Sequence, residues 1–332
     1  MNLFGMLCPS IAGSLRWGWL AALGRSDAQF GPRSLVFSYG RIHRKVPQLA
    51  LSITALATLG AAPVVKTDCA ADPRVAMAAA AWTARREQPP LAIDLAAAPC
   101  FRNALLAQLT PQLGPVIGYK VGVWTAAARA SYNVQRPVVG VLRRGMLVPE
   151  GKPIAIGFAF APMAEADFLL VVRDGGINEA RTREQAYRHI RGYRPFIELP
   201  DNHYPASAPL EIGRVVALDV NARNGIMGAE VALPPTAAGL AALSALAVNV
   251  SIFETGEARE VSGSALKNLG DPMEIVLAAR DLLRQEGTRL KAGDVISIGT
   301  LTPPHAPKAG ELFTVRYRVG DRTTNIRARF LP

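Results

Sequence analysis

The chain has 332 residues, half of them apolar and 19% charged, with a formal net charge of +11. This is ample material for a buried core and excludes an intrinsically disordered chain. The basic residues are dispersed, with short clusters at 41–45 and 85–86 and no basic block interleaved with aromatics, which argues against a nucleic-acid partner and leaves small anionic ligands as the natural clients of the charge.

Residues 1–39 show no clear period. Arg41-Ile42-His43-Arg44-Lys45 then precede an uncharged run over 46–65. A basic stretch, an apolar stretch and small residues are the pattern of a secretory leader. Its start at Arg41 predicts translation from near Ile42, cleavage near Ala62 and a periplasmic or secreted product with no stable membrane insertion. The alternatives are a membrane anchor, for which the run has the length but Gln48, Ser52 and Thr54 are unsuited, a buried helix, and a cytoplasmic protein. The chain thus divides into a leader-like segment (1–65), an N-terminal helical segment (66–113) and a main domain (114–332).

The three cysteines, Cys8, Cys69 and Cys100, match no zinc spacing, and the four histidines, His43, His189, His203 and His305, form no His-x-x-x-His pair. In an oxidising compartment Cys69 and Cys100 would form one disulfide; two buried free thiols are the alternative. The bridge would tie a helix over 73–86, capped by Asp72 with Pro73 in its first turn, to a second over 101–113, stopped by Gly114.

The stretch 114–123 is a glycine-punctuated strand carrying Lys120. It is no phosphate-binding loop, because the glycine spacing is wrong and no Ser or Thr follows the lysine. A lysine in an apolar strand either snorkels to water or faces a polar cavity. Thr125 caps a short helix to 132. A strand over 138–148 turns at 143–145. The apolar strand 162–172 opens with Glu165 and Asp167, which project from one face because strand side chains alternate. A helix spans 182–190, an extended stretch carries Glu198, and a strand is expected over 214–220, with Asn221 either a turn residue or a side-chain donor. The segments around 262–264 and 268–272 flank a loop. Helices at 236–246 and 272–286, strands at 248–254 and 294–299, and a closing hairpin over 313–319 and 323–330 complete the chain. Strands outnumber helices in mixed order, which points to an α+β fold rather than a βαβ series.

If Glu165 and Asp167 converge with Glu198, each pair of charges at 4 Å repels by about 4 kcal/mol in a protein-like dielectric, and a divalent cation would remove that cost. Spacing alone leaves the plainer reading open, in which the acids are a solvated strand face.

With these pieces in order, the chain resembles the fumarylacetoacetate hydrolase superfamily, in its branch of 2-oxopent-4-enoate hydratases and oxalocrotonate decarboxylases. The matching pieces are Gly118-Tyr119-Lys120-Val121-Gly122, 137–140 with Met146, and Pro162 with Glu165-Ala166-Asp167. Pro195-Phe196-Ile197-Glu198, Asn221 with Gly225, Leu269-Gly270 with Pro272, and Gly293-Asp294 with Gly299-Thr300 follow. The resemblance runs from Leu105 to the C-terminus, and its specificity lies in the joint order. It implies a mixed β-roll with a barrel-like sheet, a homo-oligomer, and Mg²⁺ or Mn²⁺ held by Glu165, Asp167 and Glu198, an all-oxygen set suited to hard ions. The second acid is commonly Glu in this branch and is Asp here. Lys120 falls on the active-site lysine, Asn221 on a polar pocket position, and Gly299 and Thr300 on the loop lining the substrate carboxylate. The implied chemistry is hydration of a 2-hydroxydienoate or 2-oxo-enoate such as 2-oxopent-4-enoate, as in the breakdown of aromatic compounds. Decarboxylation of a 2-oxo acid, acylpyruvate-type C–C hydrolysis, and a non-catalytic exported protein that binds oxo acids or metal are the alternatives.

Overall fold

The structure, a computed structural model, describes residues 68–254 and 256–332; the leader-like run at 41–65 and Cys8 lie outside them. The described residues begin with a 3-10 turn at Cys69–Ala71 and two helices, α1 (Pro73–Ala84) and α2 (Ala98–Leu113). Asp72 accepts the Arg74 amide at 2.9 Å and starts α1, with Pro73 placed where a missing N–H costs nothing. Cys69 and Cys100 are disulfide-bonded with their Cα atoms 5.8 Å apart, so the bridge joins the turn before α1 to the first turn of α2.

The chain then runs β1 (Val116–Gly122), α3 (Ala126–Ser131), β2 (Val138–Arg143), β3 (Leu147–Val148), β4 (Ile154–Ala155), β5 (Glu165–Val172), α4 (Arg183–Arg188) and β6 (Ile190–Leu199). It continues through α5 (Ile212–Ala217), β7 (Asn224–Met227), β8 (Val231–Ala232), α6 (Ala237–Ser244), β9 (Ala247–Glu254) and β10 (Glu257–Ser264). The last elements are α7 (Ala265–Asn268), α8 (Pro272–Gln285), β11 (Val295–Ser297), β12 (Leu312–Val319) and β13 (Arg322–Leu331).

Among the described residues the strands form two sheets. The larger has eight strands in the order β2-β1-β11-β5-β6-β7-β3, with β8 beside β6; the smaller has five, in the order β10-β9-β12-β13-β4. Parallel pairing of β1 with β11 and of β3 with β7 sits among antiparallel neighbours, which is the mixed, curled sheet of an α+β fold.

The larger sheet is covered on both faces, and the alternation of β5 shows how. Phe168, Leu170 and Val172 join one core with the smaller sheet and α8, where Val315, Tyr317, Ile275 and Val276 are buried. Phe168 stacks on Tyr193 at a centroid distance of 4.7 Å, and the Tyr317 hydroxyl donates to Phe196 O at 2.7 Å. Leu169 and Val171 point the other way, into a second core with Phe101, Leu105 and Leu109 of α2 and Val216 of α5. Each such side chain contributes about 1.5–3 kcal/mol through burial. Arg102, 2% exposed, pins α2 down by donating to Val139 O at 2.7 Å and pairing with Glu286 at 2.6 Å.

Two expectations are corrected. Residues 214–220 are not a strand: α5 and a tight turn occupy them, because burying Val216 and Ala217 against α2 overrides the β preference of adjacent valines. The loop expected between 262–264 and 268–272 is instead the short helix α7, whose first turn is capped by the Ser264 hydroxyl. Among the described residues no helix is long and apolar enough to cross a membrane.

The disulfide closes a sequence separation of 31 residues, for which loop-closure entropy gives about 3–4 kcal/mol. Cys100→Ser is therefore expected to lower the unfolding free energy by about 2–4 kcal/mol in denaturant titrations under oxidising conditions, and to be indistinguishable from wild type once both are reduced.

Candidate active site

The acids of β5 share the face of Leu169 and Val171, toward the helical layer, but lie at the end of the strand where that layer gives way to a cavity. Antiparallel pairing sets Glu165 directly opposite Glu198 and Asp167 opposite Phe196. On β11, one strand over, Ser297 pairs in register with Lys120 of β1. Four neighbouring strands thus deliver Lys120, Ser297, Asp167, Glu165 and Glu198 to one patch. Lys120, Asp167 and Glu198 are 6%, 0% and 2% exposed, and Glu165 is partly buried. Lys120, Glu165 and Glu198 line a cavity of about 510 Å³, with Trp124, Val220, Asn221, Gly299 and Thr300 among its other walls.

Lys120 Nζ hydrogen-bonds Glu198 Oε1 in a buried ion pair. Burial pulls the ammonium's pKa down, but Glu198, Glu165 and Asp167 together raise it above the ordinary lysine value, so Lys120 is held protonated. The acids carry the opposite imbalance. Burial and then repulsion from Glu198 push Glu165 up to about 8 and Asp167 up to about 7, because three carboxylates face one ammonium.

Asp167 is tied down differently. Its Oδ1 accepts the Phe168 amide at 2.5 Å and the Gly299 amide at 3.0 Å, and its Oδ2 accepts the Ser297 hydroxyl. With one methylene fewer than glutamate it is held against β11. The donor set therefore fits a hard dication in chemistry and in charge, but it is not a preformed cage: among the described residues no three His, Cys, Asp or Glu side chains are already arranged to hold a metal ion.

Behind Lys120 lies a turn in which Asp219, Val220 and Asn221 are all left-handed, with φ of 58°, 53° and 61°. A β-branched residue in that region is costly, and packing over-determines it here. Val220 presses onto β1 and β2 so closely that a Cβ on Gly122 would stand 2.3 Å from its Cγ1, and one on Gly140 would stand 2.8 Å from Asp219 O. The glycines of β1 and β2 are thus the space in which this turn sits. Asp219 accepts the Val141 amide at 2.7 Å while its other carboxylate oxygen has no hydrogen-bond partner, and burial pushes it up to about 7.

The loop residues have other partners than expected. Gly299, at φ +95°, gives its amide to Asp167, and the Thr300 hydroxyl donates to Thr302 O at 2.6 Å, so neither of these donors is free for a substrate carboxylate. Asn221 is both a turn residue and a wall residue; its Nδ2 donates to Asn202 Oδ1 at 3.3 Å. His203 is buried beside Asp201, 3.4 Å away, and does not line the cavity. Sequence reasoning missed Ser297, Asp219 and Trp124, whose indole N–H donates to Leu269 O at 2.6 Å. Nothing local in the sequence distinguishes any of the three.

No protein-family model matches the sequence. Among curated proteins, the chain is 27% identical over 200 residues to 2-keto-4-pentenoate hydratase 2 of Dechloromonas aromatica (strain RCB), covering 60% of this chain and 73% of that protein. It is 25% identical over 203 residues to a 4-oxalocrotonate decarboxylase of Pseudomonas putida, covering 61% and 74%. The solved structure of 4-oxalocrotonate decarboxylase from Pseudomonas putida G7, complexed with magnesium and adipate, superimposes with a TM-score of 0.62 at 23% identity, over 72% of this chain and 86% of that one. The chain is a distant relative of proteins of the fumarylacetoacetate hydrolase superfamily. Its similarity is to the hydratase and oxalocrotonate decarboxylase branch, and its fold is α+β with a curled half-barrel sheet.

The raised carboxylates set a pH dependence. A carboxyl whose pKa is higher folded than unfolded holds extra protons in the native state, so stability is greatest below the unfolded value near 4 and is lost as pH rises through the folded value. Glu165, at about 8, and Asp167 and Asp219, at about 7, all act this way. Without divalent cations the melting temperature is expected to carry a falling component between pH 5 and 8, at roughly 2–4 °C per kcal/mol. Glu165→Gln should flatten it, and Mg²⁺ should raise the melting temperature more at pH 8 than at pH 5.5; parallel wild-type and variant curves would refute the assignment.

Proposed function

We propose that the protein is a divalent-cation-dependent hydro-lyase acting on a short 2-hydroxydienoate or 2-oxo-enoate such as 2-oxopent-4-enoate. The observation that carries this reading is the meeting of Glu165, Asp167 and Glu198 with Lys120, of which Lys120, Glu165 and Glu198 line a cavity of about 510 Å³, a size within the ordinary range for small-ligand sites. The names of the hydratase relatives support it.

Glu165, Asp167 and Glu198 would hold Mg²⁺ or Mn²⁺, oxygen donors suited to such ions. The bound ion would supply Lewis-acid stabilisation of negative charge on the oxo acid's oxygens. The chain's own groups do the rest. Lys120 Nζ, fixed by Glu198 and kept protonated, donates a proton to the substrate or clamps its carboxylate. It is not poised as a base while the acids around it are ionised. Ser297 and the Gly299 amide hold Asp167 in place, and Trp124, Val220 and Pro303 give the cavity apolar walls. The decarboxylase reading uses the same residues, and its signature is release of CO₂. The Cys69–Cys100 bridge supports work in an oxidising compartment, as the leader-like segment suggests.

The test is calorimetry of Mg²⁺ binding with and without oxalate, which mimics the enolate of a 2-oxo acid, followed by assay of hydration and of CO₂ release on 2-hydroxydienoates. Oxalate is expected to tighten Mg²⁺ binding, and Glu198→Ala to abolish it. Lys120→Met removes a competitor for Glu198 and should bind Mg²⁺ at least as tightly as wild type, yet lose about 10²–10⁴-fold in kcat/KM. An activity that survives Lys120→Met unchanged, or absence of Mg²⁺ binding in wild type, sinks the proposal.

A further inference from the structure

The smaller sheet packs one face into the core and turns the other outward. Val315, Tyr317 and Val319 of β12 and Ile326 and Ala328 of β13 are core residues. Strand alternation therefore points Arg316 and Arg318 of β12 and Arg327 and Arg329 of β13 away from the core, and all four are exposed. The antiparallel register sets Arg316 opposite Asn325, Arg318 opposite Thr323, Arg327 opposite Thr314 and Arg329 opposite Leu312. No two cations face each other directly, and Arg316 and Arg327 are diagonal neighbours, about 7–8 Å apart. The fold thus gathers on two adjacent strands basic residues that look dispersed in the sequence.

Elsewhere on the surface arginines meet carboxylates: Arg191 and Arg194 share Glu230, and Arg289 pairs with Glu179. Among the described residues no ion pair or side-chain hydrogen bond engages the four arginines of this face. The strands bring one carboxylate to it, Glu260, opposite Ser251 on the far pair β9–β10. Glu150 stands at the border of the open cavity that Arg316 and Arg327 line. One end of the same face is apolar. Phe253 of β9 lies opposite Leu312, which lies opposite Arg329, and Leu331 follows two residues on. Phe253 and Leu331 are 45% and 41% exposed. Glu254, beside Phe253, is paired with Lys308 at 3.0 Å.

We propose that this face is a peripheral membrane-binding surface, its four guanidiniums seated among anionic phospholipid headgroups while Phe253 and Leu331 enter the boundary between headgroups and acyl chains. Guanidiniums form paired, charge-assisted hydrogen bonds with phosphate. Cations bordered by large apolar side chains are the composition with which amphipathic surfaces lie in a bilayer interface. Single-stranded nucleic acid would call for aromatic platforms set among the cations, and a duplex for an element that enters a groove; the face offers neither. A soluble acidic polymer would leave Phe253 and Leu331 in water. Docking of this kind requires no membrane-spanning helix. It involves neither the acids nor Lys120, so it is independent of the activity proposed above.

The experiment is vesicle flotation with the full chain, comparing vesicles of phosphatidylcholine with vesicles of phosphatidylglycerol and phosphatidylcholine in equal parts. At about 0.1 M salt, where the Debye length is about 10 Å, wild type is expected to bind the anionic vesicles and not the neutral ones. At about 1 M salt, where that length falls to about 3 Å, it should be released. Arg316→Gln combined with Arg327→Gln should weaken binding about 25-fold, at about fivefold for each cation near an anionic surface. Arg85→Gln combined with Arg86→Gln removes the same charge from exposed positions elsewhere and should leave binding within about twofold of wild type. Phe253→Ser should weaken binding without changing its salt dependence, because it removes buried apolar area rather than charge. Circular dichroism melts confirm that each variant is folded. Equal binding to neutral vesicles, equal loss in the Arg85 and Arg86 control, or binding that survives the Arg316 and Arg327 substitutions overturns the proposal. So does an unaltered affinity in Phe253→Ser, or retention on heparin without binding to either vesicle, which would mark the face as a site for soluble polyanions.

Discussion

Like charges cannot be buried together without a counter-charge, and the site of this protein is arranged around that constraint. Two carboxylates within about 4 Å repel by about 4 kcal/mol at a protein-like dielectric. The chain gathers three on adjacent strands and supplies one ammonium. The ion pair of Lys120 with Glu198 answers part of the imbalance. The rest shows as carboxyls that hold their protons well into the neutral range. The same imbalance gives the patch the charge that a dication would complement, and it explains why Lys120 stays charged in a place where a lone lysine would not.

Holding Lys120 at that point takes much of the surrounding structure. β1 and β2 are stripped of side chains at Gly122 and Gly140, so that the left-handed turn at 219–221 can pack against them. That turn follows α5, and α5 is helical because α2 covers it. α2 is fixed in turn by Arg102 and by the Cys69–Cys100 bridge. The helical layer therefore does more than cap a hydrophobic sheet face. Through Val215 of α5 it builds one wall of the cavity beside Lys120.

Some of this was legible in the residues. The period-2 placement of Glu165 and Asp167 predicted a shared face, and the apolar run behind them predicted a central strand. Asp72 with Pro73 and Thr125 predicted helix starts that the structure contains. The reading went astray where a partner distant in sequence decides the outcome. Adjacent valines at 215–216 favour a strand locally, but α2 makes them helical. Gly299 and Thr300 line the cavity, and the Gly299 amide also serves Asp167, a contact no local pattern announces.

The sequence by itself determined the alternation that puts acids on one strand face and the α+β order of elements. Those are properties of spacing, which the backbone's fixed periods convert directly into direction. Only the tertiary structure decided which charges are compensated and that Asp167 is held by Ser297. Each of these depends on Coulombic and hydrogen-bond terms that fall off over a few ångströms between groups far apart in the chain, and no local pattern encodes such distances.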